Sequence, residues 1–200
     1  MAWDIVADDE TINRTVAALK KNNIDAVVVD NRQEAKKAFL DSIPNGSEVF
    51  QGTSTTLIEI GAIDELESDR YNSTNKKIRL INDMKERGKA RRAASLAEYA
   101  VGSVNAVTED GHIMVASASG SQLGPYASTA EHVVLVVGAQ KIVKNNDEAK
   151  KRVEEHVLPL ESQRAMKVYG MPSAINKLLV INKDMPGRIK LILVKEKLGF

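Results

Sequence analysis

The stretch Glu48-Val-Phe-Gln-Gly-Thr-Ser-Thr-Thr-Leu-Ile-Glu-Ile-Gly61 decides the fold. Val49 and Phe50 favour a strand. Gly52 lets the backbone turn sharply and lie close to a ligand. Thr53, Ser54, Thr55 and Thr56 supply hydroxyls, one of which caps a helix beginning near Leu57. A strand, a Gly/Ser/Thr turn and a helix start together make the repeating unit of a parallel α/β sheet. Such a turn aims free N–H groups and the positive end of a helix at one spot, which suits a phosphate or a carboxylate. A well-capped helix with no ligand explains the same residues. The stretch carries neither a Walker lysine nor G-x-G-x-x-G, so the common nucleotide motifs are unmatched.

Toward the N-terminus, residues 8–22 read as a helix capped by Asp8 or Asp9, with Ile12, Val16 and Leu19 on one face. Residues 25–30 are a short apolar run, the mark of a buried parallel strand. Residues 31–43 read as a helix with Ala35, Ala38 and Phe39 inward, ended by Pro44-Asn-Gly46. The expected organisation is a helical segment over residues 1–24 and an α/β domain over 25–200.

Toward the C-terminus, residues 57–67 read as a short helix and 68–75 as a polar loop. Residues 76–102 read as one long helix, or two broken at Gly88. The basic cluster Lys85, Arg87, Lys89, Arg91 and Arg92 is interleaved with Asp83 and Glu86, as on a solvated helix face. Asp110-Gly111 is a favoured hairpin turn between two β-prone runs. Ser119-Gly-Ser-Gln-Leu-Gly-Pro-Tyr126 is a second Gly/Ser-rich loop after a strand. Residues 127–131 read as a helical turn. The run His132-Val-Val-Leu-Val-Val-Gly138 is the most apolar in the chain and reads as a central strand. Residues 146–157 read as a helix stopped by Pro159, and 160–169 as another. In the tail, residues 177–182 and 188–194 flank a turn and read as a hairpin or a sheet edge.

Two hundred residues and a 43% hydrophobic fraction suit one ordinary domain. The net charge of +1 gives no bulk field toward nucleic acid, and 4% aromatics make a poor base-stacking platform. The absence of cysteine removes disulfides, thiol catalysis and iron–sulfur ligation by this chain. No basic, then apolar, leader opens the sequence, and no run approaches the roughly 20 apolar residues of a membrane span. The expectation is a cytoplasmic protein with neither a membrane nor a nucleic-acid partner.

In open α/β sheets, ligands gather beyond the carboxyl ends of strands. Three such ends carry polar residues: Gly52, Thr53, Ser54 and Thr55; Ser119, Gly120, Ser121 and Gln122; and Gln140 with Lys141. Together they predict a cleft for a small anionic organic ligand, with Lys141 as counter-charge or, equally, as an exposed strand-end lysine. Glu59 is a candidate acid/base, or a solvent-facing acid that favours a helix start. His112 and His132 have no partner ligand at metal spacing, so no metal site is predicted. No G-x-S-x-G elbow is present.

These same stretches resemble the LUD (lactate-utilization) domain family. The match runs through residues 52–61, 102–111, 119–123, 137–143, Pro159-Leu-Glu-Ser-Gln-Arg164 and 186–200. The resemblance implies a Rossmann-like three-layer α/β/α fold with a mostly parallel sheet, of the NagB/RpiA/CoA-transferase type. It implies a ligand among hydroxy or keto acids, sugar phosphates and CoA esters, and a role accessory to lactate and pyruvate utilization beside an iron–sulfur redox partner. Two departures stand out. Many family members have Gly-Asn-Arg where this chain has Gly120-Ser121-Gln122, and Asn-Lys where it has Gln140-Lys141. The larger members also carry cysteine clusters, which this chain lacks, and no bound cofactor is implied for it. Two rival readings stay open. One is an isomerase- or CoA-transferase-like enzyme. The other is a non-catalytic subunit docking on a redox protein or on a second copy through an apolar C-terminal strand edge ending at Phe200.

Overall fold

The computed structural model describes residues 3–200; Met1 and Ala2, where the expected N-terminal segment begins, lie outside the described residues. Six strands form one sheet in the order β1 (Ile24–Val29), β10 (Ile189–Val194), β7 (His132–Gly138), β4 (Tyr99–Gly102), β2 (Glu48–Gln51) and β3 (Asn72–Ser73). Every neighbouring pair is parallel. Side-chain alternation along the strands supplies two apolar faces. Val133, Leu135 and Val137 pack on one side with Leu191 and Leu193, and Val134 and Val136 on the other with Ile192 and Val194.

Helices α2 (Arg32–Asp41), α3 (Thr55–Glu59) and α4 (Ile63–Glu67) cover the second face through Phe39, Leu57 and Leu66. The first face is covered by α1 (Asp9–Lys21), through Ile12 and Leu19, and by a smaller sheet. That sheet runs β8 (Ile142–Val143), β5 (Ala106–Thr108), β6 (Ile113–Ser117) and β9 (Lys177–Ile181), with β5 and β6 as the antiparallel pair expected around Asp110-Gly111. The result is a mixed α/β protein, Rossmann-like and three-layered, around a parallel central sheet. Caps follow local chemistry: Asp8 accepts from Thr11 N, and Asn31 from Gln33 N and Glu34 N.

Several expectations are corrected. Residues 57–67 form two helices, α3 and α4, because the chain turns at Gly61. Residues 68–75 hold the edge strand β3 and start α5 (Thr74–Arg79), capped by Ser73. The helix predicted over 76–102 is interrupted before Asp83, which caps α6 (Met84–Ala93) through Glu86 N. Its last residues are β4, fully buried between β2 and β7, because Tyr99, Ala100 and Val101 fill an inner-sheet position that no amphipathic helix face supplies. Pro159 does not stop its helix. A π-helical turn, Val153–Val157, joins α7 (Asn146–Arg152) to α8 (Leu158–Tyr169), so the proline falls in a first turn where no amide donor is needed.

The tail strands do not pair with each other. β9 lies at the edge of the small sheet, while β10 is threaded between β1 and β7. A strand with five apolar residues in six gains more from burial on both faces than from an edge. The C-terminal strand therefore offers no free edge for assembly, and Leu198 is buried. Among the described residues, no helix is long and apolar enough to cross a membrane.

Candidate functional site

Beyond the carboxyl ends of β2, β4 and β7 lies a cleft of about 720 Å3. Gly52, Thr53, Ser54, Thr55, Ser119, Ser121, Gln122 and Lys141 all line it. The facing wall comes from an unexpected place: the loop after β6 belongs to the small mixed sheet, not to the parallel one.

Each polar group has a local occupation. Ser54 Oγ accepts Leu57 N at 3.2 Å and caps α3, so its hydroxyl is committed to the helix. Thr53 is exposed at the turn. Asn75 braces the turn from α5, donating to Gln51 O at 2.9 Å and accepting Gln51 N at 3.2 Å. In the facing loop, Ser117 Oγ accepts Gly120 N at 2.9 Å and donates to Gln122 Oε1 at 3.1 Å, which fixes its shape.

Lys141 is buried, not a solvent-facing strand-end lysine. Its Nζ donates to Thr56 Oγ1 at 3.1 Å, Ser103 Oγ at 3.2 Å and Val104 O at 3.1 Å. None of these partners is a carboxylate. Burial, and then the neighbouring Arg152 guanidinium, push its pKa down to about 7, with Glu59 opposing. Arg152 is itself buried. It donates through Nη1 to Asn105 O at 2.5 Å, while Nε and Nη2 have no partner among the described residues.

Gln140 and Glu59 do not line the cleft, because the C-terminal tail occupies them. Gln140 Nε2 donates to Leu198 O at 2.9 Å and Gly199 O at 3.2 Å, and Glu59 Oε2 accepts Gly199 N at 2.7 Å. Gly199 has φ +61, and a Cβ there would lie 2.4 Å from Thr56 Oγ1 and 3.2 Å from Lys141 Nζ. Only glycine lets the tail pass this close to the lysine. Gly120 supplies backbone to the facing loop and is not itself part of the lining. His112 just precedes β6 and His132 opens β7, so they belong to different sheets: His112 Nδ1 is 3.1 Å from Asn146 Nδ2, and His132 stacks on Tyr99. Among the described residues, no cluster of three or more His, Cys, Asp or Glu could hold a metal ion.

The structure adds residues that the sequence did not place in the site. Arg79, Arg91, Arg164, Ser103 and Asn105 also line the cleft. Arg164 makes a two-point bond to Glu161, at 2.7 and 2.6 Å, which raises its pKa and keeps it charged. Arg79 pairs with Glu67 at 2.6 Å. The signal for Arg164 was present in Pro159-Leu-Glu-Ser-Gln-Arg164, but nothing local says that α8 folds over the ends of the strands.

The family model described as LUD domain matches residues 12–194. Among solved structures, a DUF162 family protein from Deinococcus radiodurans is similar to this chain in fold. The TM-score is 0.57 at 14% identity, and the superposition covers 95% of this chain and 99% of that one. No curated protein sequence matches the chain.

Proposed function

The chain belongs to the LUD domain family, and from that premise we propose that it binds an anionic organic metabolite in the cleft beyond β2, β4 and β7. The observation that carries the reading is Lys141. With no carboxylate among its hydrogen-bond partners, the charged form of this buried lysine in the wall of a cleft is favoured by a ligand that brings a negative charge. Gly52, Thr53 and Thr55 would meet the anion, and Ser119, Ser121 and Gln122 would face it. Arg91 adds positive charge to the lining, beside Arg79 and Arg164, which are already paired with Glu67 and Glu161.

The volume bears on ligand size. About 720 Å3 falls in the range of roughly 300–1,000 Å3 that encloses a drug-sized molecule. That favours a sugar phosphate or a CoA ester over free lactate within the proposed class. The role we propose is accessory to lactate and pyruvate utilization in the cytoplasm. Iron–sulfur chemistry would reside on a partner, since the chain has no cysteine.

Thermal unfolding with lactate, pyruvate, ribose 5-phosphate, folate and acetyl-CoA tests the reading. A true ligand at about 100 times its Kd adds about 2.7 kcal/mol of stability. Loss of that gain in Arg164→Ala and Thr53→Ala supports this cleft. A panel that leaves the melting temperature unmoved overturns the proposal for these classes.

A further inference from the structure

The shell around Lys141 suits an amine as well as an ammonium. Val104 O can only accept, but the hydroxyls of Thr56 and Ser103 can either accept or donate. When the amine is neutral, one hydroxyl turns to donate to the nitrogen lone pair, and no buried group is left unpaired. The surroundings also exclude water. The Gly199 backbone lies beside Nζ, held there by Gln140 and Glu59, while Lys141 and its partners Ser103 and Val104 line the cleft. Desolvated lysines of this kind are nucleophiles toward carbonyl carbon.

We propose that Lys141 captures the carbonyl carbon of an aldehyde or keto compound bound in the cleft, forming an imine. The Nζ lone pair attacks the carbonyl carbon and the C–N bond forms as the C=O π bond opens onto oxygen. The nitrogen's protons pass to that oxygen, which leaves as water, and the C=N bond closes. No oxidant or reductant is needed. This rests on the cleft being the ligand site, and it narrows the ligand to one that carries both an anion and a free carbonyl. With the lysine half-neutral near pH 7, such a carbonyl meets a reactive amine at ordinary pH.

Borohydride trapping tests it. The intact protein is mixed at pH 8 with pyruvate, dihydroxyacetone phosphate or ribose 5-phosphate, with and without sodium borohydride, and its peptides are mapped by mass spectrometry. The expected result is a reduced adduct on Lys141. Its larger neutral fraction should give a yield about tenfold or more above that of the exposed Lys37, whose pKa its partner Asp41 raises. Calorimetric titration of the same compounds without borohydride runs in parallel. Binding with no adduct at Lys141 overturns the imine and leaves the ligand site standing. Adducts confined to exposed lysines overturn it too, and no binding at all overturns both readings for these compounds. Lys141→Arg should lose the adduct. If that variant does not fold, the wild-type map decides alone.

Discussion

Gln140 clasps Leu198 by both of its backbone polar groups. Its Nε2 donates to Leu198 O at 2.9 Å, and its Oε1 accepts Leu198 N at 3.3 Å. A side chain just past β7 thereby does for the tail what a neighbouring strand would do, and it fixes the wall beside Lys141.

Gln140→Ala should lower the melting temperature by several degrees. It strands a buried N–H and a buried C=O, at about 1–3 kcal/mol for a group left unsatisfied. For a chain of this size that is roughly 2–4 °C per kcal/mol. Thermal unfolding checks it, and an unchanged midpoint would mean that the tail is held by Leu198 packing alone.

Gly199→Ala and Gly170→Ala make a matched pair. Both glycines have positive φ, but a Cβ at Gly170 would meet nothing within 4 Å, whereas one at Gly199 would strike Thr56. Gly170→Ala should show only the backbone strain, about 1–2 kcal/mol. Gly199→Ala should cost about 1–3 kcal/mol more through overpacking. Denaturant midpoints measure both, and equal losses would show that the tail gives way easily.

Lys141 should leave a signature in the pH dependence of stability. Its folded pKa of about 7 lies below the ordinary value of 10.5. Between those values the unfolded chain binds more protons, so stability gains from rising pH across that window. Below about pH 7 the burial penalty is fully present, and toward pH 10.5 it disappears. Lys141→Met lacks this dependence. Its stability relative to wild type should fall by a few kcal/mol between pH 7 and 10. Denaturant titrations at several pH values would show it, and parallel curves would contradict it.

Ser54 and Thr53 should separate helix capping from ligand contact. Ser54→Ala removes the α3 cap and should cost about 1 kcal/mol without any ligand. Thr53→Ala, at an exposed hydroxyl, should stay within about 0.5 kcal/mol of wild type but reduce the ligand-induced rise in melting temperature. Apo and ligand-bound melting curves decide. A Thr53→Ala variant with a full ligand shift would remove that residue from the site.

Much of the fold was legible because it is local. The apolar run at 132–138 made the central strand, Asp110-Gly111 made the hairpin, and Asp8 capped the first helix. Misreadings arose where neighbours in space outweigh neighbours in sequence. Tyr99 to Gly102 is a strand only because β2 and β7 lie on either side of it. Eight of the eleven residues proposed for the site line one cleft, while Glu59, Gly120 and Gln140 do not.

The sequence by itself determined the α/β class, the family and the polar strand ends, since these depend on periodicity, turn chemistry and motif order along the chain. The tertiary structure alone decided that β10 threads between β1 and β7, that α8 brings Arg164 to the cleft, and that the tail seals Lys141. Those outcomes rest on contacts between distant parts of the chain. Lys141 meets Thr56 across 85 residues, Gln140 meets Leu198 across 58, and Glu59 meets Gly199 across 140. No local pattern encodes such pairs, because each forms only when packing of the two apolar faces has brought the partners together.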